Sequence, residues 1–298
     1  MRAGQRIDAS TSRSRRADTP RPIFMTSKPT GPPPIVLLLL DRGKATSIAL
    51  AWAVVAARAS EATVYVILVR SNQLRDDDVS VVINRMRARS AELSPGTQLH
   101  VEIVTTGMRS QAVRVARTRR VDLAVLSTAA RGEEATAIAE ELQVPVLIAR
   151  AAHAEGPIVA ATDLRRPDYP VLSASSAFAR LLRKPLTFFH NVTPMSITLN
   201  PLGAPSYIGA SGMIDESTVN ASRLRMLADA AGDVEVIVST SCSTVDTILR
   251  IAQDRNADIV TVGHRRRSWF GRMFGRHVPA QLVDRCLRNV LIIPVGER

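Results

Sequence analysis

Short aliphatic runs alternating with longer helical patterns fill most of this chain, and the whole series occurs twice. After Gly31-Pro32-Pro33-Pro34, strand-like runs fall at Ile35–Leu40, Thr63–Val69, Leu99–Val104, 122–126 and 144–149. Between them the spacing of apolar residues predicts helices over 46–58, 79–92, 110–118 and 133–141. The series restarts at Pro157, with strand-like runs at 158–161, 186–189, 234–238, 259–262 and 290–294. Pro34-Ile35-Val36 matches Pro157-Ile158-Val159 at an offset of 123, 122–126 matches 258–262 at 136, and 146–148 matches 290–292 at 144. The growing offset requires two insertions in the second copy. One is placed in the Pro, Ser and Gly-rich stretch 193–212, the other in an arginine-rich loop after 263. Because the strands read as continuous apolar runs rather than alternating ones, helices must cover both faces of parallel sheets. The expected fold is α/β: two tandem doubly wound domains with five-stranded, mainly parallel sheets in the order 3-2-1-4-5. The expected divisions are a disordered basic tail (1–33), a first domain (34–150), a linker (151–156) and a second domain (157–298).

Composition narrows the function classes. Hydrophobic residues are 46% and charged residues 22%, ordinary globular values that argue against disorder and coiled coil. Aromatics are only 4%, so base stacking has few candidate residues. The formal charge is +12 and sits mainly in two segments. Residues 1–33 hold seven basic residues against Asp8 and Asp18, and five arginines with no acid lie between His264 and His277. Anionic partners are implied. The tail is Arg- and Ser-rich but has no apolar face, which favours a disordered tail over a targeting peptide, and Met25 is an alternative start to Met1. Two cysteines, Cys242 and Cys286, support neither a disulfide framework nor a cysteine metal site, which fits a cytoplasmic location. The apolar run 35–40 stops at Asp41 and Arg42, far short of a membrane span.

In an open parallel sheet, ligands bind beyond the carboxyl ends of strands where the order reverses. In the second copy the loops that meet there begin at Asp163 and Gly263. A carboxylate after a buried strand can accept hydrogen bonds from a base amine or a ribose hydroxyl, and a glycine loop can turn backbone N–H groups toward phosphate. Capping of the next helix or turn is the competing role for Asp163.

These residues carry a resemblance. From Pro34 to the C-terminus the chain resembles a tandem universal stress protein. The resemblance is strongest in strand one ending at an aspartate (35–41 and 158–163), in Asn256-Ala257-Asp258-Ile259-Val260-Thr261-Val262-Gly263-His264, and in Gly275 through Val295. Nucleotide-binding members carry Gly, two residues, Gly, nine residues, Gly and then Ser or Thr. The resemblance places Asp163, Gly263 and Gly275 at binding positions and the His190 backbone beside an adenine, with a core or edge histidine as the competing reading, while His264, Arg265, Arg266 and Arg276 of the loop are candidates for direct phosphate contact by their chemistry. It implies ATP or AMP in the second domain, with no metal beyond a magnesium carried by the nucleotide. This chain departs from the pattern. Arg266 replaces the second glycine, the spacing to Gly275 is one residue short, and Arg276 follows where a hydroxyl belongs. In the first copy Ser127 through Gly132 runs almost directly into its last helix, with no room for a phosphate loop. The resemblance also implies that the two final strands pair, giving an internal pseudo-dimer.

The expected function is that of a stress-response sensor or partner-binding module. The alternative is a member without nucleotide, in which the arginines interleaved with Trp269, Phe270 and Phe274, together with the tail, dock on nucleic acid, a ribosome or a protein partner. Cys242, near a helix start, reads either as a redox-sensitive thiol or as a small buried residue. No nucleophile elbow or acid-base pair is present, so no enzymatic activity is expected.

Overall fold

The computed structural model describes residues 34–40, 46–69, 76–105, 107–127, 130–152, 155–164, 169–192, 210–265 and 278–296. The tail 1–33, Asp41, Arg266, Gly275 and Arg276 lie outside them. In the first half the elements are β1 (Ile35–Leu40), α1 (Thr46–Ser60), β2 (Thr63–Val69), α2 (Asp76–Leu93), β3 (Leu99–Val104), α3 (Met108–Thr118), β4 (Val121–Ser127), α4 (Gly132–Leu142) and β5 (Val146–Ala149). In the second half they are β6 (Ile158–Thr162), α5 (Pro170–Leu182), β7 (Leu186–Val192), α6 (Ala210–Ala231), β8 (Val234–Thr240), α7 (Thr244–Asp254), β9 (Ile259–Arg265), α8 (Val278–Arg285) and β10 (Asn289–Val295). Helix α6 takes in Ala210 to Gly212, so the loop expected over 193–212 is shorter at its C-terminal end.

All ten strands form one sheet, in the order β3-β2-β1-β4-β5-β10-β9-β6-β7-β8. Each half has the expected 3-2-1-4-5 order. The halves join where β5 pairs antiparallel with β10, Val290 opposite Ile148 and Ile292 opposite Val146, while every other pairing is parallel.

The apolar runs explain the sheet's two faces. Because side chains alternate across a strand, Val36, Leu38 and Leu40 enter one core layer and Ile35, Leu37 and Leu39 the other. The joining strands follow the same rule: Leu147 and Leu291 go to the first layer, Ile148 and Ile292 to the second. Both apolar layers therefore run unbroken from one copy into the other. The linker is held as well. Trp52 on α1, fully buried, donates its Nε1–H to the Ala151 carbonyl at 2.9 Å. Asn289 Oδ1 accepts the Arg150 and Ala151 N–H groups at 2.9 and 3.0 Å.

Candidate functional site

The order reversal of the second copy lies between β6 and β9. These strands pair with Ala161 opposite Val262, so Asp163 and the end of β9 emerge side by side. Asp163 is exposed and is the first residue after β6. Helix α5 starts only at Pro170, with Tyr169 as its N-cap residue, so Asp163 does not cap that helix. The next residue, Leu164, is buried and held at φ 55°, its N–H bonded to Thr162 Oγ1 at 3.2 Å. Tyr169 sits at φ 41°. A left-handed backbone at a side-chain-bearing residue costs about 1–2 kcal/mol, and strain of this kind collects at ligand-binding turns. Arg223 of α6 lies over the Tyr169 ring at 5.0 Å and donates from Nε to its hydroxyl. Sequence reading missed Leu164, Tyr169 and Arg223. Pro170, a first-turn residue that marks a helix start, was the available signal for Tyr169.

His190 is buried near the end of β7. Its Nδ1 lies 2.8 Å from the Thr162 carbonyl and its Nε2 3.2 Å from Asn220 Nδ2 on α6. A carbonyl only accepts, so Nδ1 carries the proton and Nε2 receives the amide N–H. Both ring nitrogens are engaged in tying the turn after β6 to α6. The His190 side chain thus supports the site from behind. Asn191 reaches the other way, donating to the Ser241 carbonyl at 2.9 Å and to Thr244 Oγ1 at 3.1 Å.

At β9 the structure corrects the expected loop. Pairing with β10 continues through Gly263 opposite Ile293, His264 opposite Pro294 and Arg265 opposite Val295. The strand therefore runs past Gly263, and any loop starts after Arg265. Gly263 is not in the left-handed region. Its missing side chain makes space instead: a Cβ there would stand 2.7 Å from Val171 Cγ2 and 3.2 Å from Val295 Cγ2. Arg265 is exposed at the strand's end, while His264 is buried on the opposite side, its Nε2 3.7 Å from Glu140 Oε2 on α4 of the first copy. Arg266, Gly275 and Arg276 lie outside the described residues.

In the first copy the head of α4 is covered by protein. The N–H of Gly132, at the head of α4, donates at 2.9 Å to Asp284 Oδ1 on α8. A Cβ on Gly132 would stand only 2.0 Å from the Ala280 carbonyl oxygen. The helix head that would face a phosphate is thus closed by a carboxylate and a backbone from the second copy.

The cysteines differ in kind. Cys242 is exposed, contrary to the buried reading, because it precedes the α7 cap residue Ser243 in a surface turn. Cys286 is buried, and burial pushes its thiol up. In native protein at pH 8, Ellman's reagent should titrate one thiol promptly and the second only on unfolding; two prompt thiols would contradict this packing.

Residues 156–294 match the Universal stress protein family. This half of the chain belongs to that family. The fold of the universal stress protein extends over both halves. A protein of unknown function from Pseudomonas aeruginosa PAO1, 15% identical, is similar over 87% of this chain and 92% of its own, with a TM-score of 0.60. A universal stress protein from Archaeoglobus fulgidus DSM 4304, 14% identical, is similar over 88% of this chain and 98% of its own, with a TM-score of 0.57. At these identities the likeness shows the fold. No curated protein matches the chain. Among the described residues no helix is long and apolar enough to cross a membrane, and no three or more His, Cys, Asp or Glu side chains group as metal ligands.

Proposed function

We propose that this protein is a universal-stress-type response module whose second domain binds one adenine nucleotide, ATP or AMP, and signals through its bound state without turning the nucleotide over. The observation that carries the reading is the contrast between the two copies. In the second, the ends of β6 and β9 are adjacent and present an exposed Asp163, a strained turn and an exposed Arg265. In the first, Asp284 and the Ala280 backbone occupy the head of α4. Asp163 would accept hydrogen bonds from the base or ribose, and Arg265 would stand on the phosphate side. Magnesium would enter only on the nucleotide's own phosphates.

The reading predicts that millimolar ATP or AMP raises the melting temperature by mass action, by the equivalent of about 2.7 kcal/mol at a hundredfold excess over Kd. Asp163→Ala should abolish the rise while leaving the ligand-free melting temperature nearly unchanged, since an exposed side chain typically contributes less than about 0.5 kcal/mol. No rise with wild-type protein would refute the proposal.

A further inference from the structure

We infer that Asn220, on α6, is a positioning residue for the second-domain site: by fixing which nitrogen of the His190 ring carries the proton, it holds the backbone that aims Asp163. The inference rests on the nucleotide reading above and names a residue on which that site depends without touching the ligand.

The direction of the Asp163 side chain is set by the two peptide planes that flank it. The plane before it is held by its carbonyl, that of Thr162, which lies 2.8 Å from His190 Nδ1. The plane after it is held by its N–H, that of Leu164, which donates to Thr162 Oγ1 at 3.2 Å. The first hold works only with the proton on Nδ1, since a carbonyl can only accept. In a neutral imidazole the partner of one nitrogen decides which nitrogen keeps the proton. Here that partner is the Asn220 amide, with Nδ2 3.2 Å from Nε2. Its N–H needs a bare Nε2, so the amide and the carbonyl select the same tautomer. Three residues further along the same face of α6, Arg223 lies over the Tyr169 ring and donates to its hydroxyl. Helix α6 thus grips the connection from β6 to α5 at both ends.

The first copy has the same packing position without the relay. The residues of β2 and β7 that enter the first core layer are Val64, Val66 and Leu68 in one copy and Leu186, Phe188 and, by alternation, His190 in the other. On the helices, the buried Met86 and Ser90 of α2 match the buried Leu224 and Ala228 of α6 at a constant offset of 138, which sets Val82 against Asn220. Leu68 and Val82 both pack on the first core layer. Two aliphatic side chains therefore suffice to close this space. The histidine and amide give up apolar burial there, and what they supply instead is the hold on the Thr162 carbonyl.

The test uses the full chain as wild type, Asn220→Val, Asn220→Gln, and Asn220→Val combined with His190→Leu, which installs the first copy's aliphatic pair. Imidazole nitrogen NMR of ligand-free protein at pH 8 should show His190 protonated on Nδ1 in wild type and shifted toward Nε2 in Asn220→Val. Calorimetric titration with AMP should weaken about tenfold in Asn220→Val, the scale of one lost hydrogen bond. Asn220→Gln, which keeps the amide donor, should restore most of the affinity. The double variant should recover the urea midpoint lost by Asn220→Val, because no buried polar atom is then left alone, yet still bind AMP weakly. A double variant that binds as tightly as wild type, or an Nδ1 proton that stays in place in Asn220→Val, overturns the inference and leaves the nucleotide reading standing. Absence of AMP binding by wild type overturns the nucleotide reading and, with it, the role given to Asn220.

Discussion

Lys184→Met should lower the unfolding free energy by about 3–5 kcal/mol, the penalty for leaving one member of a buried ion pair uncompensated. Lys184 Nζ lies 2.7 Å from Asp258 Oδ2, with side chains only 3% and 1% exposed. The pair is one node of a buried network. Lys184 also donates to the Gly156 carbonyl at 3.3 Å, and Asn289 donates to the Asp258 carbonyl at 2.9 Å and to its carboxylate at 3.1 Å. Asn289 in turn holds the linker N–H groups of Arg150 and Ala151. The network lies where β7, β9 and β10 begin, at the opposite end from the candidate site, so its role is to lock linker and second domain together. Removing both charges, as in Lys184→Met with Asp258→Leu, should recover much of the loss, because no charge is then stranded. Neutralising the exposed Arg89–Glu92 pair should change stability by less than about 1 kcal/mol. Equilibrium urea unfolding measures all three, and a loss under about 1 kcal/mol for Lys184→Met would contradict the role assigned to the pair.

Gly132→Ala should cost about 1–3 kcal/mol or more, although alanine is the better helix former. The new Cβ would meet the Ala280 carbonyl oxygen at 2.0 Å and its carbonyl carbon at 2.7 Å. Backbone cannot swing aside as a side chain can, so α4 and α8 would have to separate and the Gly132 to Asp284 hydrogen bond would lengthen. The matched control is Gly296→Ala, where nothing lies within 4 Å of the added carbon and φ is unremarkable. That substitution should stay within about 0.5 kcal/mol of wild type. Equal effects at the two glycines would mean that the helices are not in backbone contact at Gly132.

These two sites show what the sequence can and cannot disclose. Strand β1 is readable to the residue because a central strand buried on both faces must be a continuous apolar run bounded by turn residues. The doubly wound pattern supplies the order within each half, the internal repeat makes the two halves alike, and the family resemblance implies the β5 to β10 pairing. The extension of β9 through Arg265 is not readable locally, since Gly263-His264-Arg265 has no strand pattern. It exists because β10 supplies Ile293, Pro294 and Val295 as partners. Gly132 and Asp284 are 152 residues apart, and nothing in either segment announces the other. Lys184 looks like an ordinary basic residue after a helix until the fold buries it on Asp258. At the candidate site, Asp163 is legible from its place after a strand. Its supports are less so: His190 is readable as a position, while its bonds to Thr162 and Asn220 depend on how α6 crosses the sheet. Glu140 lies in the other copy, 124 residues before His264, so its approach to that buried histidine has no local signal.

The asymmetry between the copies is most directly tested by the stoichiometry of nucleotide binding to the full chain in a calorimetric titration. One adenine nucleotide per chain is predicted, with the binding heat lost on Asp163→Ala. Two per chain would contradict the closure of the first copy by Asp284 and Ala280, and none would contradict the assignment of the second copy as a nucleotide site.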